Sequence, residues 1–303
     1  MLRLYVRSFS TLCRTFSWGS QKLLFFPLLR IFPLASYGAL CWLSLPPQPA
    51  STAILYFRTI HRKTIGMKTI GMIGGMSWES TIEYYRILNE TVKAKAGGLH
   101  SAKILMFSTD FAEVEEMQHQ GRWIEAARLM VAVAQRLEGA GADLVILCTN
   151  TMHKTAAEIE QGIRIPFLHI ADPTGAAIQA KGLKNVGLLA TRFTMEESFY
   201  KTRLAERFGL QVLTPEQQER EMIHRVIYEE LCLGKIMPSS KAKYLETIRH
   251  LMDRGAEAII LGCTEICLLI QPEDVGVPVF DTTYLHAVAA ADYAMNGQGR
   301  LSS

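Results

Sequence analysis

Two cysteines stand in closely matched surroundings. Cys148 lies in Gly141-Ala142-Asp143-Leu144-Val145-Ile146-Leu147-Cys148-Thr149-Asn150-Thr151, and Cys263 in Gly255-Ala256-Glu257-Ala258-Ile259-Ile260-Leu261-Gly262-Cys263-Thr264-Glu265. Each ends an apolar run that reads as a strand buried on both faces, and each precedes a Thr and a polar residue able to start a helix. That position is the carboxyl rim of a parallel sheet, where open α/β folds bind ligands. Backbone N–H groups and a helix N-terminus draw a thiol there from its usual pKa of about 8.5 toward neutrality, fitting it for acid–base work. Two such thiols facing one carbon from opposite sides would supply a base and an acid. The remaining cysteines carry no such pattern: Cys13 and Cys41 fall in the N-terminal segment, and Cys232 and Cys267 sit in apolar, helical context and read as packing residues. No Cys, His and carboxylate spacing matches a metal site or a disulfide framework, and reduced thiols imply a cytoplasmic setting.

The elements that must hold these residues repeat. Lys68-Thr69-Ile70-Gly71-Met72-Ile73-Gly74-Gly75 matches Lys184-Asn185-Val186-Gly187-Leu188-Leu189-Ala190-Thr191, 116 residues on, while the two cysteines are 115 apart. Such near-equality is what duplication leaves. Ser77 and Thr194 are the expected N-caps after the two opening strands, with Glu79 and Glu196 in the positive first turns. Lys103 to Ser108 reads as a further strand, and apolar positions 124, 127, 130, 131, 134 and 137 predict one buried helix face. Pro166 to Ile170 and Pro278 to Thr282 form a third matched pair. Alternating strands and helices with short connections predict an α/β protein: two similar Rossmann-like lobes, mainly parallel, related by a pseudo-twofold axis. The first lobe is expected at 67–183 plus 278–303 and the second at 184–277.

Charge is distributed unevenly. Residues 1–66 carry eight Lys or Arg and no Asp or Glu, whereas the other 24 basic residues face all 29 acidic ones, a net of −5. The acidic body has no basic, aromatic stripe for nucleic acid. The leader fits three readings: an over-long gene model with Met67 as the natural start, a targeting segment, or a membrane element. Prolines at 33, 46, 47 and 49 argue against one continuous spanning helix. No membrane association is expected of the globular region. Gly71 to Gly75 lacks the dinucleotide spacing and the P-loop lysine, so its glycines read as a tight turn that lets backbone approach a substrate.

Three separated motifs, Gly71-Met72-Ile73-Gly74-Gly75-Met76-Ser77-Trp78-Glu79-Ser80-Thr81, Cys148-Thr149-Asn150-Thr151-Met152-His153 and Leu261-Gly262-Cys263-Thr264-Glu265-Ile266, together resemble the aspartate/glutamate racemase family. The likeness runs from about Met67 to Met295 and leaves the leader without a counterpart. It implies a two-lobe fold, often a homodimer, inverting the α-carbon of an amino acid with no pyridoxal phosphate or other cofactor. Maleate isomerases, hydantoin racemases and arylmalonate decarboxylases look related, and fold alone does not separate them. A non-catalytic amino acid-binding protein is the reading from another class.

On the racemase reading, Cys148 and Cys263 are the two catalytic bases, one removing the α-proton and the other returning a proton to the far face. Without an electron sink, preorganised donors must stabilise the enediolate. Asn150 and Thr151, at a helix start, are assigned to the α-carboxylate. Met76 and Ser77 offer further donors, with a plain capping role the alternative for Ser77. Thr149 and Thr264 adjoin the thiols and orient them. Asp110 is either an amine-binding residue or a solvent-facing loop acid, and Glu265 either binds the ammonium group or tunes Cys263. Glutamate racemases resembling this chain tend to carry His beside the second cysteine, so Glu265 shifts the likeness toward the aspartate-like branch. His153 and His169 read as network histidines. A side-chain carboxylate calls for a buried cation, yet Phe111 to Met117 is acidic. That argues against strict aspartate specificity and permits a broader, neutral pocket, so the substrate reads as aspartate, glutamate or a broader set of amino acids, with Arg122, Arg192 and Arg220 the remaining candidates to reach inward.

Overall fold

A computed structural model of the protein describes residues 66–296; the three readings of the leader fall on residues outside that range. Eight strands form two fully parallel sheets of identical order. In the first, β1 (Thr69–Gly74), β2 (Lys103–Ser108), β3 (Leu144–Leu147) and β4 (Phe167–Leu168) run β2-β1-β3-β4. In the second, β5 (Asn185–Ala190), β6 (Gln211–Leu213), β7 (Ala258–Gly262) and β8 (Val279–Asp281) run β6-β5-β7-β8. The two lobes and their pseudo-twofold relation are therefore present. In both sheets the order reverses beside the first strand, which creates the crevice at the strand carboxyl ends where ligands bind.

Local sequence explains the flanking helices. Helix α1 (Trp78–Ala96) starts at Ser77, whose hydroxyl accepts from the Ser80 N–H, carries Glu79 in its first turn and Lys93 and Lys95 in its last, and stops at Gly97. Its buried stripe is Thr81, Tyr84, Ile87, Leu88 and Val92. Helix α2 (Phe111–His119) is followed by α3 (Trp123–Gly139), whose buried residues are Ala126, Ala127, Met130, Val133, Ala134 and Leu137. The expected face is rotated slightly: Ile124 lies out in solvent, since the core is reached from the 126–130–133–137 row. A 3-10 turn (Thr151–Thr155) leads into α4 (Ala156–Gly162), and α5 (Ala171–Ala180) precedes the second sheet. There α6 (Arg192–Glu196) and α7 (Ser198–Phe208) follow β5, and α8 (Gln217–Glu229) and α9 (Pro238–Asp253) lead to β7. The N-cap of α6 is Thr191, which accepts from the Thr194 N–H, and not Thr194, which lies inside the helix.

The lobe boundary differs from the expected one by a strand. After Pro278 the chain does not return at once: β8 pairs with β7 (Ile259–Val279, Ile260–Phe280) and completes the second sheet. Only α11 (Thr282–Asn296), which comes after the short helix α10 (Ile266–Leu269), crosses back. Its Ala287, Ala290, Ala291 and Ala294 pack with Ile70, Met72, Tyr84 and Leu88, the Lys68 N–H donates to Ala294 O (2.9 Å), and Lys95 pairs with Asp292. Helix α5 makes the reciprocal crossing, burying Ala171 and Ile178 in the second-lobe core. Small residues permit both approaches. A Cβ on Gly175 of α5 would lie 2.3 Å from the Phe208 ring of α7.

The turn from β1 into α1 depends on one glycine. Gly75 has φ of 89°, its N–H donates to Thr81 Oγ1 (2.9 Å), and a Cβ there would lie 2.3 Å from the carbonyl oxygen of Thr109. Gly75→Ala should therefore destabilise the protein by about 2 kcal/mol or more, read as a lower midpoint in urea unfolding. A variant as stable as the parent would show that the turn relaxes without cost.

Candidate active site at the lobe junction

Strand register decides which residues occupy equivalent places. In the first sheet Ile70, Gly71, Met72 and Ile73 of β1 face Leu144, Val145, Ile146 and Leu147. In the second, Val186, Gly187, Leu188, Leu189 and Ala190 face Ala258, Ile259, Ile260, Leu261 and Gly262. Superposing the opening strands makes Leu147 the counterpart of Leu261, Cys148 that of Gly262, and Thr149 that of Cys263. The expected equivalence of the two thiols is thus one residue out of step.

Alternation along the strand gives that step its consequence. Leu144, Ile146 and Cys148 belong to the cluster formed by β1, α1 and α11, whereas Val145 and Leu147 pack on the opposite, α3 side. Cys148 is completely buried in the former cluster and is absent from the walls of the cleft. The cleft is lined from the first lobe by Met76, Thr149, Asn150 and Thr151 and from the second by Thr191, Gly262, Cys263, Thr264 and Glu265. Phe111, Gln118, Ile227, Tyr228 and Cys232 complete it. Its free volume is about 20 Å³, room for roughly one water molecule, so an amino acid enters only when the lobes part. A larger cavity of about 550 Å³ lies beyond Leu261 and Thr264, between α1, α5 and α11. It includes neither Cys263 nor Glu265, and the smaller space is the chemically relevant one.

Glu265 organises the second-lobe side. Its Oε1 accepts from Ser77 Oγ of the first lobe (2.7 Å), and its Oε2 accepts from Thr264 Oγ1 (2.7 Å) and Cys263 Sγ (3.0 Å). The carboxylate is buried, which strengthens each of these charge-assisted bonds. Burial, then the Glu265 charge, push the Cys263 thiol well above its ordinary pKa. Cys148 is raised likewise, by burial. Depression of the thiols toward neutrality, expected from the helix starts, is therefore not what the structure contains: dry surroundings outweigh the dipole. Cys263 rests as a thiol that donates to its own acceptor.

Other inter-lobe bonds surround this core. Thr151 Oγ1 meets Thr191 Oγ1 (2.8 Å), and Asn150 Nδ2 donates to Thr282 Oγ1 (3.0 Å). Helices α2 and α8 close the mouth: Tyr228 Oη donates to Gln118 Oε1 (2.9 Å), Gln118 Nε2 to Met152 Sδ (3.1 Å), and the Phe111 and Tyr228 rings stack at 6.2 Å. Gln118, Tyr228 and Cys232 escaped the sequence reading because they lie far along the chain from the strand-end motifs. Cys232 in particular is a wall residue and not simply packing.

Several candidates are engaged elsewhere. Asp110 caps α2, accepting from the Ala112 N–H (3.1 Å), and faces solvent outside the cleft. Arg122 pairs with Glu116 and Glu125, Arg220 with Glu196, and Arg192 lies against the Phe193 ring. Among the residues lining the cleft there is no Lys or Arg. His153 donates from Nδ1 to Thr149 O (2.7 Å) and accepts the Ile170 N–H on Nε2 (3.1 Å), which fixes its neutral tautomer. Burial lowers the pKa of His153 and of His169, as expected of network histidines. Among the described residues no His, Cys, Asp and Glu group is arranged to hold a metal.

Alkylation followed at the Cys263 peptide should have its pH midpoint above that of an ordinary thiol. Glu265→Gln removes the adjacent negative charge and should move the midpoint down. An unchanged midpoint would mean that burial alone sets the thiol.

The comparisons with known proteins agree with this architecture. Residues 73–290 match the family model for Asp/Glu/Hydantoin racemases. A solved structure from Yersinia pestis, described as a candidate Asp/Glu racemase, is 53% identical, covers 76% of this chain and 100% of its own, and superposes with a TM-score of 0.72. An aspartate racemase homologue from Pyrococcus horikoshii OT3 is 33% identical, with 75% of this chain and 99% of its own covered and a TM-score of 0.66. The broad specificity amino-acid racemase RacX of Bacillus subtilis (strain 168) is 23% identical over 226 residues, 71% of this chain and 92% of that protein. The chain belongs to the Asp/Glu/Hydantoin racemase family.

Proposed function

We propose that this racemase interconverts the L and D forms of an amino acid with Cys263 serving one face of the α-carbon and Thr149 the other. The observation that supports the reading is the register: counted on from the pairs Ile73–Leu147 and Leu189–Leu261, Thr149 corresponds to Cys263, and both line the same cleft. Cys263 passes its proton to Glu265 across the 3.0 Å contact, and the thiolate takes the α-proton. A substrate ammonium entering the site offsets the negative charge that otherwise opposes ionisation of the thiol. The carbon becomes planar, and hydroxyl and backbone N–H donors of the two strand-end turns stabilise charge on the carboxylate. Thr149 then delivers a proton to the opposite face, its alkoxide takes a proton from water, and the hydroxide so formed recovers the proton held on Glu265. A hydroxyl is a much weaker acid than a thiol, so the two faces are chemically unequal. The enantiomers are equal in free energy, so kcat/KM is the same in both directions, while kcat and KM individually differ.

The cleft walls support a neutral or broad substrate set, since Met76, Phe111, Ile227 and Tyr228 surround the side-chain space and no lining cation is present to take a second carboxylate. The described cysteines Cys148, Cys232, Cys263 and Cys267 are free, which fits a cytoplasmic enzyme. Among the described residues no helix is long and apolar enough to cross a membrane.

Incubation of amino acid enantiomers in D2O, followed by chiral separation and mass measurement, tests the assignment. Cys263→Ser should lower kcat/KM by about 100-fold or more and Thr149→Val by at least about tenfold. Cys148→Ala should leave it within about threefold, since the group lies outside the cleft. A folded Cys148→Ala variant as impaired as Cys263→Ser, beside an unimpaired Thr149→Val, would overturn the assignment.

A homodimer is supported by the outer face of α1, where Trp78, Ile82 and Tyr85 are exposed at helical spacing. Light scattering should give twice the chain mass, and Tyr85→Glu should shift it toward one chain. A monomeric parent protein would remove this part of the proposal.

A further inference from the structure

Resting on the racemase reading, we infer that Asn150 binds the substrate's ammonium group through its amide oxygen, and not the carboxylate through its amide nitrogen. Thr282 Oγ1 lies 2.9 Å from the carbonyl oxygen of Leu261 and 3.0 Å from the Asn150 amide. A carbonyl only accepts, so the single hydroxyl proton of Thr282 is committed to Leu261. What Thr282 has left for Asn150 is a lone pair, and its partner must be the donor Nδ2. The amide is thereby held in one of its two orientations by hydrogen-bond logic alone.

The other end of the amide follows. Asn150 is 3% exposed and lines the cleft, and its Oδ1 has no hydrogen-bond partner. A buried acceptor without a donor is satisfied by whatever ligand fills the space. An ammonium carries three donors and no acceptor, whereas a carboxylate carries acceptors only and would be repelled by the amide oxygen. The remainder of the wall points the same way: among the described residues lining it, Glu265 is the sole charged side chain, and no Lys or Arg accompanies it. The charged end for which the cleft is built is therefore the cation, with Asn150 in the first lobe and Glu265 in the second. The carboxylate is left to hydroxyl and backbone donors.

Calorimetric titration with two matched pairs tests the assignment: L-2-aminobutyrate against butanoate, and L-glutamate against glutarate. The members of each pair share carboxylate and side chain and differ in the ammonium group. The parent protein should bind at least one amino acid about tenfold or more tighter than its desamino partner, the scale of one hydrogen bond to a charged group. Asn150→Ala should erase most of that preference while changing the desamino acid's Kd less than about threefold. Thr282→Val keeps Asn150 but releases its amide to turn, and should reduce the preference in part. Its separate disturbance of the fold is checked by thermal melting. Equal weakening of both members of a pair in Asn150→Ala, or an undiminished preference in both variants, overturns the inference and leaves the racemase reading intact. Failure of the parent protein to bind or to racemise any amino acid overturns both.

Discussion

A carboxylate buried at the junction of two lobes governs this site. Glu265 accepts protons from Ser77 on one side and from Thr264 and Cys263 on the other. Three donors offset the cost of removing the charge from water. Burial, and then that charge, raise the pKa of the neighbouring Cys263 thiol, which donates to Glu265 at 3.0 Å.

The lobes that meet at Glu265 are also braided together. Helix α5 leaves the first sheet to pack on the second, and α11 leaves the second to pack on the first. Neither lobe has a complete core alone, so the two must fold as one body. Across the mouth, by contrast, α2 and α8 meet through ring contacts, Phe111 on Tyr228 and His119 on His224 and Tyr228, and through the hydrogen bond from Tyr228 to Gln118. The hydrophobic braid lies away from the cleft and the exchangeable polar contacts lie at its rim.

Much of this architecture is legible in the sequence. Periodicity marks β1, β3, β5 and β7 as buried strands, the repeat gives two lobes, and the motif after each strand locates the rim. Ser77 as a cap and Glu265 as a tuning group follow from residue type and neighbourhood. What stays hidden depends on distant packing. Asp110 and the three arginines have the right chemistry for binding, yet Asp110 caps a helix, Arg122 and Arg220 sit in ion pairs, Arg192 lies against the Phe193 ring, and none of them lines the cleft. Tyr228 and Gln118 have no local mark of function, because the proximity that makes them a closure arises only when α2 and α8 face each other across lobes. Even the strand after Pro278 reads equally well in either sheet until pairing places it.

The sequence by itself determined the reaction chemistry available, the duplicated parallel α/β plan and the two turns at which the chemistry must occur, because residue type and hydrophobic period are local properties. Only the packing of the strands decides which residues of each turn line the cleft. The motifs align on their cysteines, but the strands align on their hydrogen bonds, and the two alignments differ by one position. In a pleated strand one position is a change of face. It sends Cys148 into the packing beneath α1 and α11 and leaves Thr149 on the wall of the cleft that Cys263 also lines.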